Sequence, residues 1–139
     1  MSANTSPVFA ITPNMAYAEI TATTTDRTGV TTTNVQLLVS AGSNGTKVSQ
    51  IGCKVEGVSV AGCLLIFISN GLIGSGGALK LFDELIISAV TPSTTAASFR
   101  SFNAYSDLEL KTGQYIYVGI TAISSGPVNV LAWAQQGDF

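Results

Sequence analysis

The sequence predicts an all-β protein, an antiparallel β-sandwich of about eight strands, and three observations carry that expectation. Of 139 residues, 31 are Thr or Ser, 23 are Val or Ile and 14 are Gly, a composition that suits strands and turns. Apolar and polar residues alternate in run after run, spaced about 8–14 residues apart, as in sandwiches and barrels. No apolar stripe of helical period extends beyond two turns, and no internal repeat is evident.

Residues 1–15 read as an extended N-terminal arm and 16–139 as one sandwich domain. Pro7 and Pro13 interrupt strand pairing, and Val8, Phe9 and Ile11 form an apolar cluster. A frayed tail is the simpler reading. An arm laid on a neighbouring subunit gives those side chains a place to be buried. From Thr33 to Ala41, Val35, Leu37, Val39 and Ala41 alternate with Asn34, Gln36 and Ser40, with Leu38 out of step. Asn44-Gly45 follows, a strong hairpin signal. Ile51, Cys53 and Val55 then alternate with Gln50, Lys54 and Glu56, so the two runs are expected to pair as a hairpin.

Cys63–Ile68 is apolar at every position, as a central strand covered on both faces would be. Gly71–Gly77 reads as a flexible loop. Leu79–Val90 alternates but changes parity across Asp83-Glu84, which suggests a bulge. Residues 92–97 read as a polar connector. Ser98–Ser106 fits a helical turn or a strand about equally. Leu108 and Leu110 alternate with Asp107, Glu109 and Lys111, Thr112-Gly113-Gln114 turns the chain, and Tyr115–Ile123 and Val128–Ala134 complete the set. The run Leu108-x-Leu110-x-x-Gly113-Gln114-x-Ile116-x-Val118 resembles a pattern frequent in jelly-roll sandwiches, which makes a jelly roll the expected topology.

Only 14 side chains are charged, six basic and eight acidic, for a net charge of −2. That is 10% against about 25% in ordinary soluble domains. The apolar content argues against disorder, and the acidic balance provides no basic footprint for nucleic acid. The longest apolar stretch, Val58–Ile68, is eleven residues, short of the ~20 a spanning helix needs. The opening Met1–Pro7 lacks a secretory signal's basic and apolar regions. No membrane partner and synthesis in a cytoplasm are therefore expected. Cys53 and Cys63 then read as small buried hydrophobes rather than a disulfide.

Histidine is absent, which removes Ser–His and Cys–His catalysis. Gly57-Val58-Ser59-Val60-Ala61 approximates a nucleophile elbow, but Ala61 replaces the second Gly and no conventional base exists. Gly71 to Lys80 superficially suggests a phosphate loop, yet Lys80 comes three residues late and precedes a strand. The carboxylates are scattered, and no run matches a calcium loop. Neither catalytic residues, metal nor cofactor are expected. Tyr105, Tyr115, Tyr117 and Trp133 could line a sugar-binding face, although core or interface roles suit them better.

Neutral polar side chains shed water at lower cost than charges, and interface cores are depleted in charge. The composition thus suits a subunit covered by copies of itself or by a partner, above all along the Thr/Ser-rich segments 21–33 and 91–101. Residues 26–29 (Asp-Arg-Thr-Gly), 33–39 and 41–48 through Ile51, then Leu81-Phe82-Asp83-Glu84, 86–91 and the terminal Gly137-Asp138-Phe139, together resemble small virion proteins of tailed bacteriophages. Such proteins are similar to capsid decoration, or cement, proteins: β folds, often trimers, seated on the shell at symmetry axes. The resemblance implies a non-enzymatic homo-oligomer, trimeric by that likeness. It would bind a major capsid protein lattice on the head surface of a virion after synthesis in the host cytoplasm. It transfers no functional residues. Val8, Phe9, Ile11, Trp133 and Phe139 are the expected partner contacts. A carbohydrate- or receptor-binding module of a tail fibre or adhesin, or a tail or baseplate subunit, are the competing readings.

Overall fold

The computed structural model describes residues 12–124 and 129–139. Within them the alternating runs become eight strands: β1 (Thr12–Ile20), β2 (Gln36–Ser40), β3 (Thr46–Val55), β4 (Gly62–Ser69), β5 (Leu79–Ile87), β6 (Arg100–Leu110), β7 (Tyr115–Ile120) and β8 (Val130–Asp138). All pairings are antiparallel, in two four-stranded sheets ordered β1-β8-β3-β6 and β2-β7-β4-β5. The sheets pack face to face as a β-sandwich. Their shared core includes Ile20, Val48, Ile51, Cys53 and Ala132 from the first sheet, and Val39, Leu64, Ile66, Ile116 and Val118 from the second. The described residues contain no helix, hence none long and apolar enough to cross a membrane.

The partition differs from the sequence expectation in three places. β1 begins at Thr12, inside the span read as the arm, and Thr12 to Asn14 pair with Asp138 to Gln136. Runs 98–106 and 107–111 form a single strand, β6, so the ambiguous segment is extended rather than helical. The expected hairpin does not form. β2 pairs with β7, whereas β3 pairs with β6 and β8. The segment around Asn44-Gly45 instead carries the chain from one sheet to the other. Gly45 adopts φ +93°, which only glycine tolerates freely, and its N–H donates to Gly42 O at 3.0 Å. The Thr46 hydroxyl accepts from Gly42 N and donates to Asp138 Oδ1, tying the arch to the end of β8.

Two bulges set which residues enter the core. In β2 the register slips at Leu38, between Leu37 and Val39. Leu38 and Val39 are both buried while Leu37 is 41% exposed, so Leu37 faces away from the core that the alternation assigned it. In β5 the slip falls at Phe82, beside the expected Asp83-Glu84. Leu79 therefore packs on the outer side of the second sheet, and Leu85 and Ile87 on the inner side.

β4 is central and buried on both faces, as its continuous apolar run implied. Its outer side, Leu65 and Phe67, lies with Tyr117 and Leu79 beneath Val35 and Ile73. The β1–β2 connection crosses this outer face. Thr24 N donates to Ile120 O at 2.9 Å, and the Thr24 methyl fills the space where Gly119 lacks a side chain. Arg27 then reaches Glu84 of β5 at 2.6 Å.

Candidate functional site

The outer face of the first sheet has no comparable cover among the described residues. Ala16, Ala18 and Ile20 of β1 pack inward, which leaves Met15, Tyr17 and Glu19 outward by strand alternation. The same alternation puts Leu131, Trp133 and Gln135 of β8 outward, with Gln50, Gly52 and Lys54 of β3 and Arg100, Phe102 and Ala104 of β6. Register aligns these positions in rows across the sheet. Tyr17, Trp133, Gly52 and Phe102 form one row, and Glu19, Leu131, Lys54 and Arg100 the next.

The aromatic row depends on Gly52. A Cβ there would lie 2.6 Å from Trp133 Cζ2, 2.7 Å from Phe102 Cβ and 2.5 Å from Ser101 O. The indole therefore lies across β3 toward β6, its ring centroid 5.9 Å from that of Phe102. The Arg100 guanidinium stands 5.1 Å from the Trp133 ring and 5.6 Å from Phe102, within cation–π range. Trp133 is left 7% exposed, while Tyr17 is 72% exposed and Met15 and Phe102 also face solvent. Met15, Tyr17, Leu131, Trp133, Gln50 and Gln135 line a shallow groove on this face.

Lys54 Nζ donates to Ser98 O. Among the described residues neither Glu19 nor Arg100 has an ion-pair partner; the ion pair there is Arg27–Glu84. The face thus carries an aromatic band beside a row with Glu19 at the β1 edge and Lys54 and Arg100 toward β6, while Lys47 and Glu109 face outward nearer the Gly45 turn.

Other polar groups serve the fold. Ser59, the elbow-like serine, is buried. It donates to Ser88 O at 2.6 Å and accepts from Val90 N at 2.9 Å. In the 70–78 loop, Ile73 N–H donates to the Tyr117 hydroxyl at 3.1 Å. Asp83 accepts from Tyr105 Oη at 2.6 Å and Asn103 Nδ2 at 3.0 Å, stitching β5 to β6 at one margin of the sandwich. Burial, and then this bond to a carboxylate, push the Tyr105 phenol above its ordinary pKa. Asp26 accepts from the Thr28 hydroxyl and from the N–H groups of Thr28 and Thr31, which lowers its pKa to about 2. Cys53 and Cys63 are free thiols; Cys53 is buried and Cys63 half-buried. Burial pushes the Cys53 thiol up to about 12. Among the described residues no group of three or more Cys, Asp or Glu is placed to hold a metal ion.

Of the expected contact residues, Val8, Phe9 and Ile11 lie outside the described residues. Trp133 is on the outward aromatic row, mostly covered by its neighbours. Phe139 is elsewhere, half-buried at the end of β8, with its N–H donating to Gly45 O at 3.1 Å. Six residues of strand separate the two, roughly 20 Å. The four aromatics considered as a sugar face do not meet either. Tyr115 and Tyr117 belong to the outer side of the second sheet, Tyr105 to the seam between sheets, and Trp133 to the first sheet. The residues missed by sequence reasoning are Met15, Tyr17, Arg100 and Phe102. Met15, Tyr17 and Glu19 alternate with Ala16, Ala18 and Ile20, and that alternation is the signal that could have found the first two.

No protein-family model matches the chain, and comparison with curated proteins finds none similar to it.

Proposed function

We propose that the chain is a non-enzymatic structural subunit of a virus particle, a homo-oligomeric decoration protein that seats on a capsid lattice and stabilises it by protein–protein contact. The observation carrying this reading is the uncovered aromatic face of β1-β8-β3-β6, held on a rigid sheet. Apolar area removed from water contributes roughly 25 cal/mol per Å², and modest contacts repeated around a shell add up through multivalency.

The strand order supports a jelly roll as the finer description. Strands one, eight, three and six form one sheet and two, seven, four and five the other, the arrangement of two interleaved Greek keys. That architecture serves viral capsid and lectin domains alike, so it favours the reading only by analogy of fold. In this proposal the arm comprises the residues before β1, and a homo-oligomer at a shell symmetry axis is the assembly unit.

The test is to add purified chain to tailed-phage heads from the strain that encodes it. Saturable co-sedimentation with the heads and a raised shell melting temperature are expected; no co-sedimentation overturns the proposal. The exposed Tyr17 ring beside Gln50 and Gln135 favours a second reading, a glycan-binding face, because rings stack on sugars while amides bond hydroxyls. Glycan-array binding that Tyr17→Ala abolishes would put that reading first.

A further inference from the structure

We infer that the outer face of the first sheet is where two copies of this chain pair, sheet on sheet, about a two-fold axis running along the strands. This contact rests on the homo-oligomer part of the decoration reading and goes beyond it: the aromatic face meets a second copy, and the arm and the remaining surface are left to meet the shell. Each row runs from β1 at one edge to β6 at the other, at constant height along the strands. A two-fold axis parallel to the strands preserves height and exchanges the edges. β1 of one copy then lies over β6 of the second.

That single operation brings the end positions of both rows together, and it sets Lys54, whose Nζ donates to Ser98 O, over Leu131 of the second copy. Glu19 faces Arg100 of the second copy, and by symmetry its own Arg100 faces the second copy's Glu19. These two exposed charges have no ion-pair partner among the described residues, and they stand at opposite ends of one row. Tyr17, the most exposed aromatic on the face, comes over Phe102 of the other copy. Trp133 comes over Gly52 of the other copy, which that copy's own indole already covers, so the two indoles meet near the axis. Packed sheets cross at about 30° and lie about 10 Å apart. That crossing offsets the edge positions by a distance Glu and Arg side chains can span.

The area is of the right order. Four strands of about nine residues span roughly 19 by 30 Å, on the order of 600 Å² in projection before side-chain relief. A standard interface buries about 800 Å² per partner. The second sheet is less open, because residues 21–35 and Ile73 lie over its middle and leave Leu37 and Ile86 exposed only on its two edge strands. A sugar is a poorer occupant for the Trp133 ring, which has the Arg100 guanidinium set against it.

The test uses charge reversal in the full chain, read by sedimentation velocity. Wild type should associate as a pair, twice 14.3 kDa. Glu19→Arg and Arg100→Glu should each weaken association about tenfold or more, because like charges meet at both edges. A one-to-one mixture of the two variants should restore it, since both contacts become opposite-charged in the mixed pair. If Arg100→Glu does not fold, Glu19→Arg must still weaken pairing, and Glu19→Gln must weaken it less. A monomeric wild type, variants that associate unchanged, or a mixture no heavier than its components overturns the inference. So does a monomer whose aromatic face binds glycans. Failure to bind phage heads would instead count against the decoration reading and leave the pairing standing.

Discussion

Gly52 shows how one missing methyl shapes a surface. Its neighbours at 2.5–2.7 Å include the backbone oxygen of Ser101 and the Cβ of Phe102, neither of which yields easily. Gly52→Ala should therefore destabilise the domain by about 1–3 kcal/mol, as overpacking does. Trp133 is the only tryptophan, so a changed emission spectrum should accompany the lowered melting temperature. Cys53 makes a different statement. Burial holds its thiol protonated in the fold until about pH 12, against 9.0 for an ordinary thiol. The unfolded chain thus ionises first, and stability should fall as pH rises from about 9 toward 12. Melting temperatures across that range should decline less steeply in Cys53→Ala, and native Cys53 should resist thiol labelling. Burial of the thiol was readable from its place in an alternating run; the opening beside Gly52 was not, because it depends on two other strands.

At the level of elements, alternation identifies the apolar face of a strand but not the strand beside it. β2 and β3 both turn apolar residues inward, as a hairpin's strands would. Here those faces belong to opposite sheets and meet across the core. The Asn-Gly signal was real as a turn and misleading as to partner. The β1–β2 connection is held by Asp26, whose carboxylate collects three bonds from Thr28 and Thr31. Because its folded pKa is depressed to about 2, its contribution is present above the ordinary carboxylate range and lost as pH falls through about 2. Asp26→Ala should speed amide exchange at Thr28 and Thr31 and loosen the Arg27–Glu84 pair, with little change in the rest of the fold. At the opposite margin, Tyr105→Phe removes the 2.6 Å bond to Asp83. A loss of about 1 kcal/mol is expected for this partly exposed tie, measurable by chemical denaturation. Segment 21–33, expected to be a surface that partners cover, also has an inner side, which lies over the second sheet through Thr24 and Arg27.

For the whole molecule, the two outer faces are unequal. One is covered over its middle by the chain's own connections; the other presents Met15, Tyr17 and Phe102. On that first sheet Glu19 and Arg100 stand at opposite edges beside an aromatic band. Pairing of Thr12 with Asp138 sets where an arm can be removed without harming the sandwich. Deleting residues 1–11 leaves β1 whole and should leave the melting temperature within a few degrees of wild type. Under the decoration proposal the truncated chain should lose binding to phage heads; unchanged affinity would show that the arm takes no part.

Composition and alternation were enough to establish an all-β chain, two apolar-faced sheets, a doubly buried β4 and a bulge near Asp83. These are local properties, written in which residues follow one another. Pairing of β2 with β7, the arch at Gly45, the outward turn of Leu37 and the row joining Tyr17, Trp133 and Phe102 emerged only in three dimensions. Each depends on residues from strands far apart in the chain, brought into register by burial of both inner faces against one shared core.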